Sequence, residues 1–477
     1  MALKIQDGRG FPRRQLLKTG LLASAGVTAS AWALAGCGPT AQATPAAKNT
    51  IILEWQPWRV AWGNGWDQIF YQYTEPFRKK NPGVEIKVSA PSSASNGNGV
   101  MAQILAGSST PDVFSGYGAQ DLIEQQVLLN LEPYLKQQHV DLTQFEAGQM
   151  AFFSPPSGGV FGLPAEISTV AVMLNIGAIN DAGLSLPPTD WTQSEAVALW
   201  KGLIAGSGNQ RSYGTTIWGN SNGTPGEYLW QTYGASKTNG PFATTSGVAT
   251  AKGLAFGNWF YPLIPEHVIA LNVNGTSVFG SSEIASITLG SWQLFSVVTG
   301  MSGVDQWDLW PNPVGPVGYE TTYAGHDFYG VNRLSKHPEQ AVDFLIWLTT
   351  SQAWSEALIK LQLVVPPSKE YAASWVSIAQ TVAPPLASKN LSAFVGALQA
   401  GYGYGAPYFL YDSNDAYTLM GQYTQAIVNG TTTPSEGLTD AANAITKFET
   451  DAAQAAASSS APASHESSAA SKESAKG

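Results

Sequence analysis

Four of the chain's 16 tryptophans, Trp55, Trp58, Trp62 and Trp66, stand within one short stretch. An indole offers a broad flat face and one N–H donor, which suits stacking on a ring whose C–H bonds line up on one side. Pro57, Arg59, Gly63 and Asn64 read as loop, so Trp58 and Trp62 are candidates for ligand contact, with core packing the alternative for each. Tyr117 is a further candidate, on a glycine-flanked loop after Pro111-Asp112, whereas Asp112 itself reads as a structural residue. A carbohydrate has both apolar ring faces and a hydroxyl rim. It would use such rings together with carboxylate and amide side chains that bond hydroxyls.

Catalytic patterns are absent. The chain has no H-E-x-x-H and no G-x-x-x-x-G-K-[ST] phosphate loop, and its G-x-S-x-G string, Gly219-Asn220-Ser221-Asn222-Gly223, sits in a run of small polar residues and not between a strand and a helix. Gly97-Asn98-Gly99-Val100-Met101-Ala102 imitates a dinucleotide turn, but the polar loop Ser92–Asn96 separates it from the preceding strand. His139, His267, His326, His337 and His465 show no metal-ligand spacing, so neither a metal nor another cofactor is expected. A secreted carbohydrate-active enzyme, with two carboxylates facing each other across a cleft, stays open as an alternative.

The chain ends set the compartment. Lys4, Arg9, Arg13 and Arg14 precede an apolar run from Leu21 to Gly36, too short for the roughly 20 residues that span a bilayer. Arg13-Arg14-Gln15-Leu16-Leu17-Lys18 resembles a twin-arginine export signal, with Pro12 and Leu16 departing from it; an ordinary Sec signal is the alternative. Leu34-Ala35-Gly36-Cys37 resembles a bacterial lipobox, and Cys37 is the single cysteine, which rules out an intrachain disulfide. Diacylglycerol on Cys37, with acylation of the new amino terminus, would supply the two or more chains that stable anchoring needs.

Residues 1–36 hold five basic residues and one acidic residue; without them 19 basic face 33 acidic, a net −14. That balance repels nucleic acid, and no basic run follows the signal. Residues 37–49 read as a tether, and 451–477, made of Ala, Ser, Lys and Glu without an aromatic residue, as a disordered tail. The stretch between is too long for one core, so two domains are expected.

Strands are expected at Thr50–Trp55, Val84–Val88 and Asp112–Phe114. Helices are expected at Trp66–Lys80, Val100–Ala106, Gln193–Ala205, Pro338–Thr349, Ala416–Val428 and Pro434–Phe448. The alternation implies parallel βαβ units with helices on both faces of a sheet.

Several blocks, in order, resemble family 1 extracellular solute-binding proteins, which include maltodextrin- and other sugar-binding components of ABC importers. They are Asn81–Val88, Ala106–Phe114, Gly159–Glu166, Asn175, Ile284–Trp292, Gly325–Asn332, Ala341–Leu345 and Gly430–Leu438. The resemblance implies an α/β, two-lobe periplasmic-binding-protein-like fold with a hinge and an interlobe cleft. Crossings would fall near Pro164–Ser168, Tyr323–Phe328 and Val364–Ser368. Lobe 1 would hold 50–165 plus 325–368, and lobe 2 would hold 166–324 plus 369–450. The ligand would lie between them, outside the carboxyl ends of the strands.

The resemblance also implies site residues. Trp292, after the Gly290-Ser291 turn, corresponds to the family's aromatic platform, and Tyr417 lies where another aromatic can enter, in a region that departs from the pattern. Glu166 and Ser168 at the first crossing, and Asp327 after Gly325-His326, would bond sugar hydroxyls. The expected protein is a monomeric, non-enzymatic binder of an oligosaccharide, anchored outside the cell membrane and serving an ABC importer. A binder of a polyamine, glycerol phosphate or iron is the alternative.

Overall fold

The computed structural model describes residues 50–57, 65–90, 98–205, 212–219, 224–271, 273, 275–280, 283–301, 304, 306–325, 327–405, 409–411 and 413–459. Trp58, Trp62, His326, Cys37 and the Arg13-Arg14 pair lie outside them.

The chain begins with β1 (Ile51–Gln56), which buries Leu53 and Trp55 completely. The helical stretch expected over Trp66–Lys80 forms as two helices, Trp66–Tyr73 and Glu75–Lys80. Pro76 is the reason: it lacks an N–H and crowds the preceding turn, so the break falls at Thr74. Asn81 then closes the second helix by donating from Nδ2 to the Phe77 carbonyl at 2.9 Å. Gly83, at φ 104°, turns the chain into β2 (Val84–Val88).

β2 and β3 (Val113–Tyr117) both pair with β1 in parallel, as βαβ alternation requires. The order β2-β1-β3-β11-β4 is completed by β4 (Leu163–Pro164) and by β11 (Asp327–Val331), which arrives much later in the chain and runs antiparallel. Asp112 is structural, as expected. Its carboxylate accepts from the Glu54 N–H at 2.8 Å and from Ser335 Oγ at 2.6 Å, tying the start of β3 to β1 and to the turn after β11.

The second sheet has the order β7-β6-β8-β5-β9. Its strands are β5 (Val170–Asn175), β6 (Thr215–Thr216), β7 (Ile269–Ala270), β8 (Ser286–Gly290) and β9 (Trp307–Trp310). β5 is buried along its whole length, as a central strand covered on both faces must be. A two-stranded parallel ribbon, β10 (Thr322–Tyr323) with β12 (Gly403–Tyr404), stands beside it. The last helix runs Pro434–Ser459, so residues 451–459, assigned by composition to the tail, continue the helix; their alanines favour it.

Each sheet has its own cores, and three segments pass between them. Ala165 packs in the core of the first sheet and Ile167 in that of the second. Tyr323 and Ala324 belong to the second, Phe328 and Tyr329 to the first. Leu363 and Val365 enter the second core while Val364 between them enters the first. Successive side chains of the segment that leaves the helix Gln352–Gln362 through left-handed Leu363 thus serve two different cores. The segments also bond one another: Ile167 N–H donates to the Val365 carbonyl at 2.9 Å, and Gly325 N–H to the Ser168 carbonyl at 2.7 Å.

Candidate ligand cleft

β8 ends in Gly290, and a short 3-10 turn, Ser291–Gln293, follows it. The turn is fastened at both ends. Gly290 N–H donates to Gln293 Oε1 at 2.9 Å, and Ser291 exchanges bonds with Thr169: its N–H reaches the Thr169 carbonyl at 2.8 Å, and its Oγ accepts from Thr169 N–H at 3.1 Å. The Trp292 indole folds back over the strand end so closely that a β-carbon on Gly290 would lie 2.4 Å from it. Glycine is therefore the residue that admits this ring position.

Trp292 is half-buried and does not stand alone. Trp218, from the turn after β6, meets it edge-on with centroids 5.2 Å apart, and Tyr323 of β10 lies 6.2 Å away at 71°. Trp218 and Tyr323 touch each other at 4.5 Å. Three rings from three elements distant in the chain thus hold one another, Trp292 meeting both partners edge-on at 71° while Trp218 and Tyr323 are tilted at 48°, and the edge-on pairs are favourable for aromatic quadrupoles. Sequence reasoning found Trp292 and missed its two partners. Trp218-Gly219 carried a weak signal, since Gly219 at φ 74° marks a turn able to lift the indole out of the sheet.

The polar candidates Glu166, Ser168 and Asp327 are brought together. Ser168 Oγ lies 3.2 Å from Glu166 Oε1 and 2.9 Å from Asp327 Oδ2, joining the first crossing to β11. Glu166 and Ser168 are buried at 3% and 4% exposure, and Asp327 is half-buried. Gln149, wholly buried, donates from Nε2 to the Glu166 carbonyl at 3.0 Å and also to the Gly325 carbonyl. One amide thereby pins two crossings to the same helical turn. The buried pair has first a local task, holding the crossings in register, and Asp327 is the most exposed of the three. Tyr117 closes β3 with its backbone opposite Asp327, at the same end of the first sheet.

Tyr417 packs in a different place, the core around Glu227. Its ring lies 5.7 Å from Phe409 and 5.6 Å from Lys237 Nζ, and burial pushes its phenol far upward from the ordinary range. Across the two cores, Trp66 and Phe295 meet edge to face with centroids 6.3 Å apart. Trp66 starts the first helix after β1, and Phe295 lies in the helix Leu294–Gly300 that follows Trp292. Among the described residues no group of three His, Cys, Asp or Glu could hold a metal ion, and no helix is long and apolar enough to cross a membrane.

This architecture has known counterparts. An ABC substrate-binding protein from Listeria monocytogenes, in complex with cycloalternan, superposes with a TM-score of 0.67 at 18% identity, over 84% of this chain and 99% of that one. The cyclic α-maltosyl-1,6-maltose binding protein from Arthrobacter globiformis gives 0.70 at 16%, over 84% and 100%. UgpB from Mycobacterium tuberculosis, in complex with glycerophosphocholine, gives 0.65 at 15%, over 84% and 98%. At these identities the likeness is one of fold: two α/β lobes around a cleft. No curated protein matches in sequence. The family model for bacterial extracellular solute-binding proteins matches residues 57–353, more than half of the chain. A discontinuous two-sheet fold, three segments passing between its cores and the family's own sequence pattern agree, and the chain belongs to the bacterial extracellular solute-binding protein family, a family of binders and not of enzymes.

Proposed function

We propose that the protein captures an oligosaccharide in the cleft between its lobes and delivers it, outside the cytoplasm, to an ABC importer. The observation that carries this reading is the aromatic group Trp218, Trp292 and Tyr323, placed where β10 leads into a crossing strand. Half-buried indoles supply flat apolar faces, and the carboxylate of Asp327 supplies a hydroxyl partner. Trp58, Trp62, Tyr117, Glu166 and Ser168 are the further contacts we assign to the ligand or to its closed state, whereas Tyr417, packed beside Phe409 and Lys237, is assigned to the core. Similar folds hold cycloalternan and cyclic maltosyl-maltose, and others hold maltose and mannotriose.

In this reading lobe 1 is 50–165 plus 325–368 and lobe 2 is 166–324 plus 369–450. Ligand stabilises the closed arrangement because only that arrangement touches it from both sides, and the importer reads the closed shape. The protein acts as a monomer.

A thermal-shift screen tests the ligand class. Glucose and mannose oligosaccharides are expected to raise the melting temperature, since a ligand at 100 times its Kd adds about 2.7 kcal/mol to the folded state. A shift with spermidine, glycerophosphocholine or ferric iron, and none with any sugar, contradicts the reading.

Anchoring is tested separately. In a lipoprotein-processing host, Cys37→Ser is expected to leave the protein without lipid and poorly retained by membranes, because the thioether has no sulfur to form on. A wild-type processed terminus whose mass includes no lipid would contradict the anchor.

A further inference from the structure

A strand in which glycine alternates with tyrosine has one bare face and one aromatic face. Gly403 and Gly405 alternate with Tyr402 and Tyr404. A β-carbon on Gly403 would lie 2.7 Å from Leu398 Cδ1 and 3.1 Å from Ala324 Cβ, and one on Gly405 would lie 2.3 Å from the Phe152 ring. The bare face is pressed against the protein, and both tyrosines leave from the other.

That aromatic face continues the group already described. β12 runs parallel to β10 with Tyr404 opposite Tyr323, and in-register partners on neighbouring strands project to the same side, about 4.8 Å apart. Beyond Tyr404 the strip goes on through Tyr402, two residues back on the same face, on which Tyr319 stacks with centroids 3.8 Å apart and planes within 12°. Tyr319, Tyr402 and Tyr404 are all half-buried, in contrast to the core tyrosines Tyr228 and Tyr261. The strip also reaches the first lobe: a β-carbon on Gly148 would stand 3.6 Å from the Gly403 carbonyl, and Gly405 rests on Phe152. It presents ring faces and hydroxyls, the surface that a neutral polyhydroxylated ring matches.

We propose that Tyr319, Tyr402 and Tyr404 form a second ring-stacking subsite continuous with Trp218, Trp292 and Tyr323, so that the cleft selects oligosaccharides of three or more rings over disaccharides. This rests on the sugar reading above and adds the length of the ligand to it.

Calorimetric titration with dimers, trimers and tetramers of α-1,4-linked glucose and of β-1,4-linked mannose tests the subsite. Wild type is expected to bind the trimer about fivefold or more tightly than the dimer of its preferred series, the scale of one aromatic contact. Tyr402→Ala should abolish that preference and leave dimer affinity within about twofold of wild type. Tyr402→Phe, which keeps the stacked ring, should retain it. Should the alanine variant unfold, Tyr319→Leu reads the same quantity, because it keeps apolar volume but removes the ring stacked on Tyr402 and is expected to lower the preference. An unchanged preference in Tyr402→Ala, or equal losses for dimer and trimer, overturns the subsite. Wild type that binds all lengths alike overturns the subsite alone, whereas wild type that binds no sugar overturns the reading beneath it.

Discussion

Trp292→Ala is expected to weaken sugar binding about tenfold or more while costing less stability than a core tryptophan. A ring that stacks flat under a sugar hides apolar surface, and full burial of a side chain of this kind is worth roughly 1.5–3 kcal/mol. Each 1.4 kcal/mol is about a factor of ten in Kd. The indole is half-buried and rests on Gly290 and against Trp218, so its removal leaves a partly solvent-filled gap and not a closed cavity. Trp230 is the internal comparison. It is fully buried, 4.4 Å from Phe256, and its truncation should cost about 3–5 kcal/mol. Calorimetric titration and urea denaturation on the two variants separate the roles. Unchanged affinity in Trp292→Ala together with a Trp230-sized stability loss would make Trp292 a core residue and remove the platform.

The second large effect lies away from the cleft. Lys237→Met is expected to destabilise the fold by about 1–3 kcal/mol at pH 8, because it removes the cation whose charge offsets the burial of the Glu227 carboxylate. Glu227 and Lys237 are 2% and 6% exposed. The Glu227 carboxylate accepts from Gln231 Nε2 at 3.0 Å and from the Lys237 backbone N–H at 3.2 Å. Burial pushes Glu227 up to about 7 and Lys237 down to about 8, each opposed by the other's charge. The sign follows from proton linkage. A carboxyl whose folded pKa is raised favours the fold at low pH, and that contribution is lost as pH climbs towards about 7. At pH 5 Glu227 carries its proton in the folded state, so the loss caused by Lys237→Met should shrink there. Urea denaturation at pH 5 and pH 8 checks this, and an equal loss at both would assign the effect to packing instead of charge.

Much of this fold was legible in local pattern. Asn81-Pro82-Gly83 marks a helix end through backbone chemistry that acts within a few residues, and the periodic stretch Gln193–Ala205 forms as read, whereas the break before Pro76 was not legible because the apolar period runs through it. The crossings expected near Pro164–Ser168, Tyr323–Phe328 and Val364–Ser368 coincide with segments whose side chains divide between the two cores. The cleft was less legible because its contacts are non-local. Nothing near Trp218 announces that it will meet Trp292 and Tyr323, since β6 and β8 come together only through pairing and β10 belongs to a separate ribbon. Nor does spacing reveal that Ser168 will bond Asp327, 159 residues away. Tryptophan abundance also has two meanings here. Trp55, Trp191, Trp230, Trp354 and Trp375 fill cores completely, and only burial separates them from Trp218 and Trp292. The Gly-Tyr alternation before β12's end was readable as a one-faced strand, but its face could be assigned only from the partner strand β10.

Oligosaccharide binding in this cleft is checked by calorimetric titration of the wild-type protein against glucose and mannose oligosaccharides, spermidine, glycerophosphocholine and ferric iron. Saturable one-to-one heat is expected with at least one oligosaccharide and none with the other three. Saturable binding of a non-sugar solute, with no heat from any sugar, would contradict it.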